Sequence, residues 1–173
     1  MRTEFYEIIP ELLRREGGLS INENDRGGAT NWGVSLVTLR RLGIDVDKDG
    51  DIDADDIRVM PMELAVDIFK REYWDPSKAD RLPDRIKEFY FDCCINHGIN
   101  RAVMIMQNAV CIQGEPITVD GLLGPQTLGH LKYITVNDAV DQRLYFFSGL
   151  CRKDPTQMTF RKGWFKRALE FRI

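Results

Sequence analysis

Apolar residues return every three or four positions along almost the whole chain, and four of these runs stop at a glycine. Phe5, Ile8, Ile9, Leu12 and Leu13 precede Gly17, VSLVTLRRL precedes Gly43, DRIKEFYFDCCINH precedes Gly98, and RAVMIMQNAVCIQ precedes Gly114. An α-helix turns once per 3.6 residues, so this spacing lays an apolar stripe along one face. A glycine just beyond takes the left-handed geometry that ends a helix. MPMELAVDIFKREYWD, GPQTLGHLKYI, NDAVDQRLYFFSGLCRK and TFRKGWFKRALEFRI extend the pattern, and no long alternating run, repeat or flexible linker interrupts it. The expected fold is mainly α, with an irregular loop or short hairpin in the turn-rich SINENDRGGATNWG after the first helix. Pro10 conflicts with that first helix, because a proline removes one hydrogen bond and clashes with the preceding turn. A kink there, or a start near Ile9, is the expectation.

A chain of 173 residues with 43% hydrophobic content is long enough for one sizeable core or two small interlocked lobes. Its net charge of -3 creates no general positive field, which argues against nucleic acid or an anionic membrane as the main partner. The apolar stretches are short and broken by charges, so no transmembrane segment is expected. MRTEFYEIIPELLRRE carries acids where a signal peptide has an apolar core, and synthesis as a cytosolic chain is the expectation. Cys93, Cys94, Cys111 and Cys151 lack zinc-ligand spacing with His97 or His130 and read as reduced core thiols.

Two stretches carry chemistry. The first is the acidic dodecamer DVDKDGDIDADD. Calcium loops of the EF-hand type place oxygen ligands at alternate positions, a glycine sixth, an apolar residue eighth and a carboxylate twelfth. Asp45, Asp47, Asp49, Gly50, Ile52 and Asp56 fill those positions, with Asp51 offering its carbonyl and Asp53 the ninth ligand. The departure is the aspartate at the twelfth position, where the longer glutamate is usual. Seven carboxylates in twelve residues repel one another, and a bound calcium would remove that cost, so a structural calcium loop is expected. A solvated acidic turn is the plainer reading of the same residues.

The second stretch surrounds Glu16. At about 100° per residue, Glu16 lies on the wheel about 20° from Phe5 and about 40° from Leu12, on the buried stripe. A carboxyl partly withdrawn from water keeps its proton more tightly and can hand it to a leaving group. Gly17 and Gly18 leave the space above it free of side chains, as a substrate cleft requires. The following loop supplies Asp25 and Thr30, which could address water on the opposite face of a sugar. The bland alternative is that Glu16 neutralises Arg14 or Arg15 at a helix end.

REGGLSINENDRGGATNWGVS resembles the opening of glycoside hydrolase family 108, lysozyme-like N-acetylmuramidases of phage and bacteria. The matching residues are Glu16-Gly17-Gly18, Asn24-Asp25, Gly27-Gly28-Ala29-Thr30-Asn31 and Trp32-Gly33. The likeness continues through the dodecamer into REYWD (71–75) and FDCCINHG (91–98). Arg26, Asn22 and Glu23 depart from the usual pattern of the loop. The resemblance implies a lysozyme-like helical bundle, with a catalytic segment over 1–92 and a peptidoglycan-binding segment over 93–173 packed in the same globular unit. It also implies Glu16 as catalytic acid with Asp25 and Thr30 as its loop partners. Trp32, Tyr73 and Trp74 are candidates for stacking on sugar faces, and Asn96 for a polar substrate contact.

ITVDGLLGPQTLGHL and FRKGWFKRALE resemble the helical peptidoglycan-binding segment of that family, although Asp120-Gly121 and Gly124-Pro125 also read as ordinary turn punctuation with Thr127 as a helix cap. The function expected is cleavage of the β-1,4 bond between N-acetylmuramic acid and N-acetylglucosamine in peptidoglycan, with inversion, by a monomer. No catalytic cofactor is expected. The chain would act at the cell wall or periplasm after export through a holin or secretion machinery. A second reading is a non-catalytic wall-binding or secretion-associated protein, since some members of the family are described as secretion activators. A calcium sensor is a third, disfavoured because sensors usually pair such loops.

Overall fold

The computed structural model describes residues 4–20 and 28–173 of the chain. They are mainly helical, with one two-stranded sheet, as a lysozyme-like fold requires. No helix among them is long and apolar enough to cross a membrane. The chain divides into two compact units, Thr3–Glu72 and Tyr73–Ile173.

The first unit opens with α1 (Phe5–Glu16), which buries Phe5, Ile8, Ile9, Leu12 and Leu13, the stripe expected from spacing. Pro10 neither starts nor ends the helix. It sits on the exposed face, so its ring meets no core, and the buried residues on both sides outweigh the lost hydrogen bond. Gly17 stops the helix with φ 84°, its N–H donating to the Leu13 carbonyl. A hairpin follows, β1 (Thr30–Asn31) against β2 (Val34–Ser35), with Thr30 opposite Ser35 and Asn31 opposite Val34. Its two-residue turn, Trp32-Gly33, has positive φ at both positions, 51° and 78°, as a type I′ turn demands. Then come α2 (Leu36–Leu42), capped by Ser35 and closed by left-handed Gly43, α3 (Ala54–Val59) and α4 (Met62–Phe69).

A π-helical turn (Lys70–Trp74) carries the chain across the division between the units. The second unit adds a short turn, α5 (Asp75–Ser77), and then two helices of fourteen residues each, α6 (Asp84–His97) and α7 (Ile99–Ile112), separated by Gly98 at φ 77°. After α8 (Pro125–His130) come α9 (Val136–Lys153) and α10 (Met158–Leu169). Helix α6 packs on α7, α7 on α9 and α9 on α10. Thr135 and Asp138 close the start of α9 as a reciprocal capping box.

Two expectations change here. Thr127 does not cap α8, which starts at Gly124-Pro125; the threonine is buried, donating to the Leu122 carbonyl and accepting from Gln107 Nε2 at 3.0 Å. Trp74 is 1% exposed. Its ring meets Phe91 edge-on and its indole N–H donates to Asp80, so no face is left for a sugar and Trp74 is withdrawn as a stacking platform. The four cysteines carry free thiols, three of them buried, and burial pushes the Cys93 thiol up to about 12.

Candidate active site

Glu16 is the last residue of α1, half-buried, with open space above the glycines that follow: a side chain placed at Gly17 or Gly18 would meet nothing. The hairpin tip closes on its stem from the other side. A β-carbon at Gly33 would lie 2.7 Å from Glu16 Cβ, 2.8 Å from its Cγ and 3.1 Å from the Phe69 ring. No side chain fits there, and the positive φ at Gly33 excludes one independently. Bare backbone at Gly33 thus lies directly against the Glu16 stem, and the two glycines that follow Glu16 add no side chains beside it. Arg14 and Arg15 both reach Glu11, at 2.6 and 3.2 Å.

Thr30 is placed by backbone pairing on two sides. Its N–H and carbonyl exchange 2.8 Å bonds with Ser20, which tethers the end of the glycine segment, while β2 holds its other edge. Its neighbour Asn31 is buried and donates through Nδ2 to the Ile57 carbonyl at 3.0 Å, pinning the hairpin to α3. The structure therefore sets Gly33 against Glu16 and places Thr30 on the hairpin that carries Gly33. Asp25 lies outside the described residues, as do Asn22, Glu23, Asn24 and Arg26.

Beside this turn runs a groove of about 360 Å³ lined by Pro10, Leu13, Gly17, Gly18, Trp32 and Met62, among others. Trp32 is half-buried and presents part of its ring there, in a left-handed conformation that costs a non-glycine residue roughly 1 kcal/mol. Tyr73 is half-buried, and Asn96 is exposed on α6, where its amide donates to the Asp92 carbonyl one turn back.

The dodecamer folds as a tight loop. Asp45 accepts from the N–H groups of Lys48 and Gly50 at 2.6 and 3.0 Å, and Gly50 turns the chain at φ 103°. Carboxylate oxygens gather in two triplets, Asp45/Asp47/Asp49 and Asp51/Asp53/Asp56, each within 4.8 Å. Neighbouring carboxylates help to raise the pKa of Asp47, where desolvation leads, and of Asp51, where Asp49 leads. Desolvation would raise Asp56 too, but backbone N–H donors from Asp53, Val46 and Asp47 outweigh it and hold its pKa low.

Sequence reasoning passed over three features. Gly33 and Asn31 stood in the motif without roles. The third is an ion cluster in the second unit, where Asp92, fully buried, is clasped by Arg143 at 2.7 Å and Arg167 at 2.7 and 3.0 Å. Its signal was available: a lone aspartate inside the apolar run EFYFDCCI.

Residues 9–98 match the family described as Glycosyl hydrolase 108, and residues 101–169 match one described as Predicted Peptidoglycan domain. Among solved structures, that of SagA from Brucella abortus is similar at 30% identity with a TM-score of 0.75, covering 97% of this chain and 91% of that one. No curated protein matches the chain.

Proposed function

The chain belongs to the glycosyl hydrolase 108 family, and on that premise we propose that it is a peptidoglycan hydrolase that cleaves the β-1,4 bond between N-acetylmuramic acid and N-acetylglucosamine. The observation that carries this reading is the closure of Gly33 onto the stem of Glu16, with glycines opening the opposite side. That arrangement holds the stem of Glu16 beside the hairpin and supports its assignment as the acid. Glu16 donates its proton to the glycosidic oxygen as the bond breaks. The hairpin supplies Thr30, and the loop before it Asp25, to orient water on the opposite sugar face. A threonine is a poor glycosyl nucleophile, so single displacement with inversion is the favoured course.

The dodecamer serves this site as a calcium staple. Its carboxylate triplets suit a hard cation with oxygen ligands, Asp45, Asp47, Asp49, Asp51, Asp53 and Asp56 being the residues that would hold it. A bound calcium would neutralise the mutual repulsion of the loop and fix the segment that leads into α3, to which Asn31 is bonded. The match of residues 101–169 to a peptidoglycan domain supports a role for the second unit in holding peptidoglycan. Action at the cell wall, by a monomer exported through a holin or a secretion route, completes the reading.

The test is turbidity clearing of purified peptidoglycan by wild type and Glu16→Gln. Clearing by wild type alone supports the assignment, and equal clearing sinks it. NMR of the anomeric proton in the first product distinguishes inversion from retention. A second reading, to which the match to a peptidoglycan domain also lends support, is a wall-binding protein without catalysis; absence of clearing by wild type on several walls would select it.

A further inference from the structure

The second unit contains a cavity of about 460 Å³ that the hydrolytic site does not use, lined by His97, Arg101, Arg143, Phe146, Trp164 and Arg167 among others. Arg143 is wholly buried at its edge. Its Nη1 donates to Asp92 and its Nε to His97 Nε2 at 3.0 Å, while its Nη2 has no hydrogen-bond partner among the described residues. A buried guanidinium N–H without an acceptor costs on the order of 1–3 kcal/mol, so such a group is retained for a reason. His97 does not fill that place. Burial first, and then the Arg143 charge, lower its pKa to about 4, so near neutral pH it is an uncharged acceptor that orients the guanidinium.

The charge in the cavity is one-sided. Arg101, Arg143 and Arg167 face it, and Asp92 is the one carboxylate among these interactions, already engaged by two of the three. The walls are aromatic, with Phe147 stacked on Trp164 at 5.1 Å and the Arg101 guanidinium lying over Phe146 at 4.9 Å. A second hollow, of about 360 Å³, shares Arg101, Phe146 and Leu150 with the first, so a ligand longer than one residue can run from one into the other. An unpaired fork donor in a cationic pocket suits a carboxylate, and the apolar continuation suits what is attached to it.

We propose that this cavity binds the terminal carboxylate of a short peptide, the free D-alanine end of a peptidoglycan stem, with Arg143 and Arg101 taking the carboxylate and the edge of Trp164, whose faces stack on Phe147 and Phe160, against the adjoining methyl group. The choice of a stem peptide rests on the peptidoglycan reading above; the carboxylate pocket rests on the geometry alone. It separates two tasks, with the first unit cutting glycan and the second reading peptide.

The probes are N-acetyl-D-alanyl-D-alanine, the same dipeptide with its C-terminus amidated, and inorganic phosphate. Each is titrated into the full chain while the Trp164 indole N–H, assigned with Trp164→Phe, is followed by NMR. The acid dipeptide is expected to shift that signal saturably and the amide not to. Arg101→Ala should weaken binding about tenfold, as loss of one charge-assisted contact does. Arg143→Lys, which keeps the charge but loses the fork, should weaken it further; if that variant does not fold, Arg101→Ala carries the test. No shift with any probe overturns the proposal, as does equal binding of acid and amide. Phosphate binding without the dipeptide overturns it in favour of a simple anion hole. Glu16→Gln should bind the dipeptide as wild type does. If wild type clears peptidoglycan but ignores the dipeptide, this inference falls and the hydrolase reading stands; the reverse result does the opposite.

Discussion

Each unit is organised around a carboxylate, and the two are held in opposite ways. Glu16 ends a helix half-exposed, with the bare backbone of Gly33 against its stem. Asp92 lies mid-helix without exposure, clasped by two arginines that arrive from α9 and α10. A buried charge must be paired or it is intolerable, so the pairing of Asp92 binds three helices together and leaves it no freedom for chemistry. A group that exchanges protons with a substrate needs partial exposure, which Glu16 keeps. The contrast separates an acid held for structure from the acid proposed for catalysis more clearly than burial alone would.

The largest effect should come from exchanging the two acids for their amides. Glu16→Gln is expected to reduce peptidoglycan clearing by roughly 10²–10⁴-fold with an unchanged melting curve, the range a general acid contributes. Asp92→Asn should instead lower stability by about 3–5 kcal/mol, since it strands two arginines, with activity following the folded fraction. Denaturant titration beside turbidity assays reads both. A stable Asp92→Asn chain without activity would break the comparison.

Gly33→Ala sharpens it next. The substitution strains a positive φ and drives a methyl group into the Glu16 stem, so a loss of roughly 1–3 kcal/mol in stability is expected. The activity lost should exceed what unfolding accounts for, as judged by circular dichroism and clearing at the same temperature. Preserved activity would mean that the closure on Glu16 does not position it.

A pH series probes the buried cluster. His97 has a folded pKa near 4, below its unfolded value near 6.5, with Arg143, Asp92 and Arg167 around it. The unfolded chain therefore binds the extra proton first. The stability due to His97 is complete above about 6.5, declines as pH falls towards 4, and loses nothing more below that. The decline, at most a few kcal/mol, should flatten in His97→Gln, as followed by thermal melts in that window.

The smallest effect concerns the dodecamer. Chelator should lower the melting temperature of the wild type by a few degrees, calcium should restore it, and Asp45→Asn/Asp49→Asn should be insensitive to both. Wild type that ignores chelator would argue for a loop held by its backbone hydrogen bonds alone.

Much of the fold was legible because helical stripes and glycine stops are local. The stripe of α1, the breaks at Gly43, Gly98 and Gly114, and the hairpin region after Gly18 all stand where spacing places them. Glu16 and Thr30 are candidates through their motif, and the structure adds what holds them: Gly33 against one and Ser20 beside the other. Trp74 was misread because an aromatic ring looks the same in a sequence whether it faces a sugar or Phe91.

The sequence by itself determined which segments are helical, where they end, and which family's residues recur, since each depends on neighbours within a turn or two. Tertiary structure alone decided which carboxylate is half-exposed and which is sealed. Asp92 meets its arginines across 51 and 75 residues of chain. Glu16 is bounded by a glycine whose importance is only the absence of a side chain at that point in space. Burial and pairing are properties of the closed chain, and no local pattern encodes which distant partner will arrive.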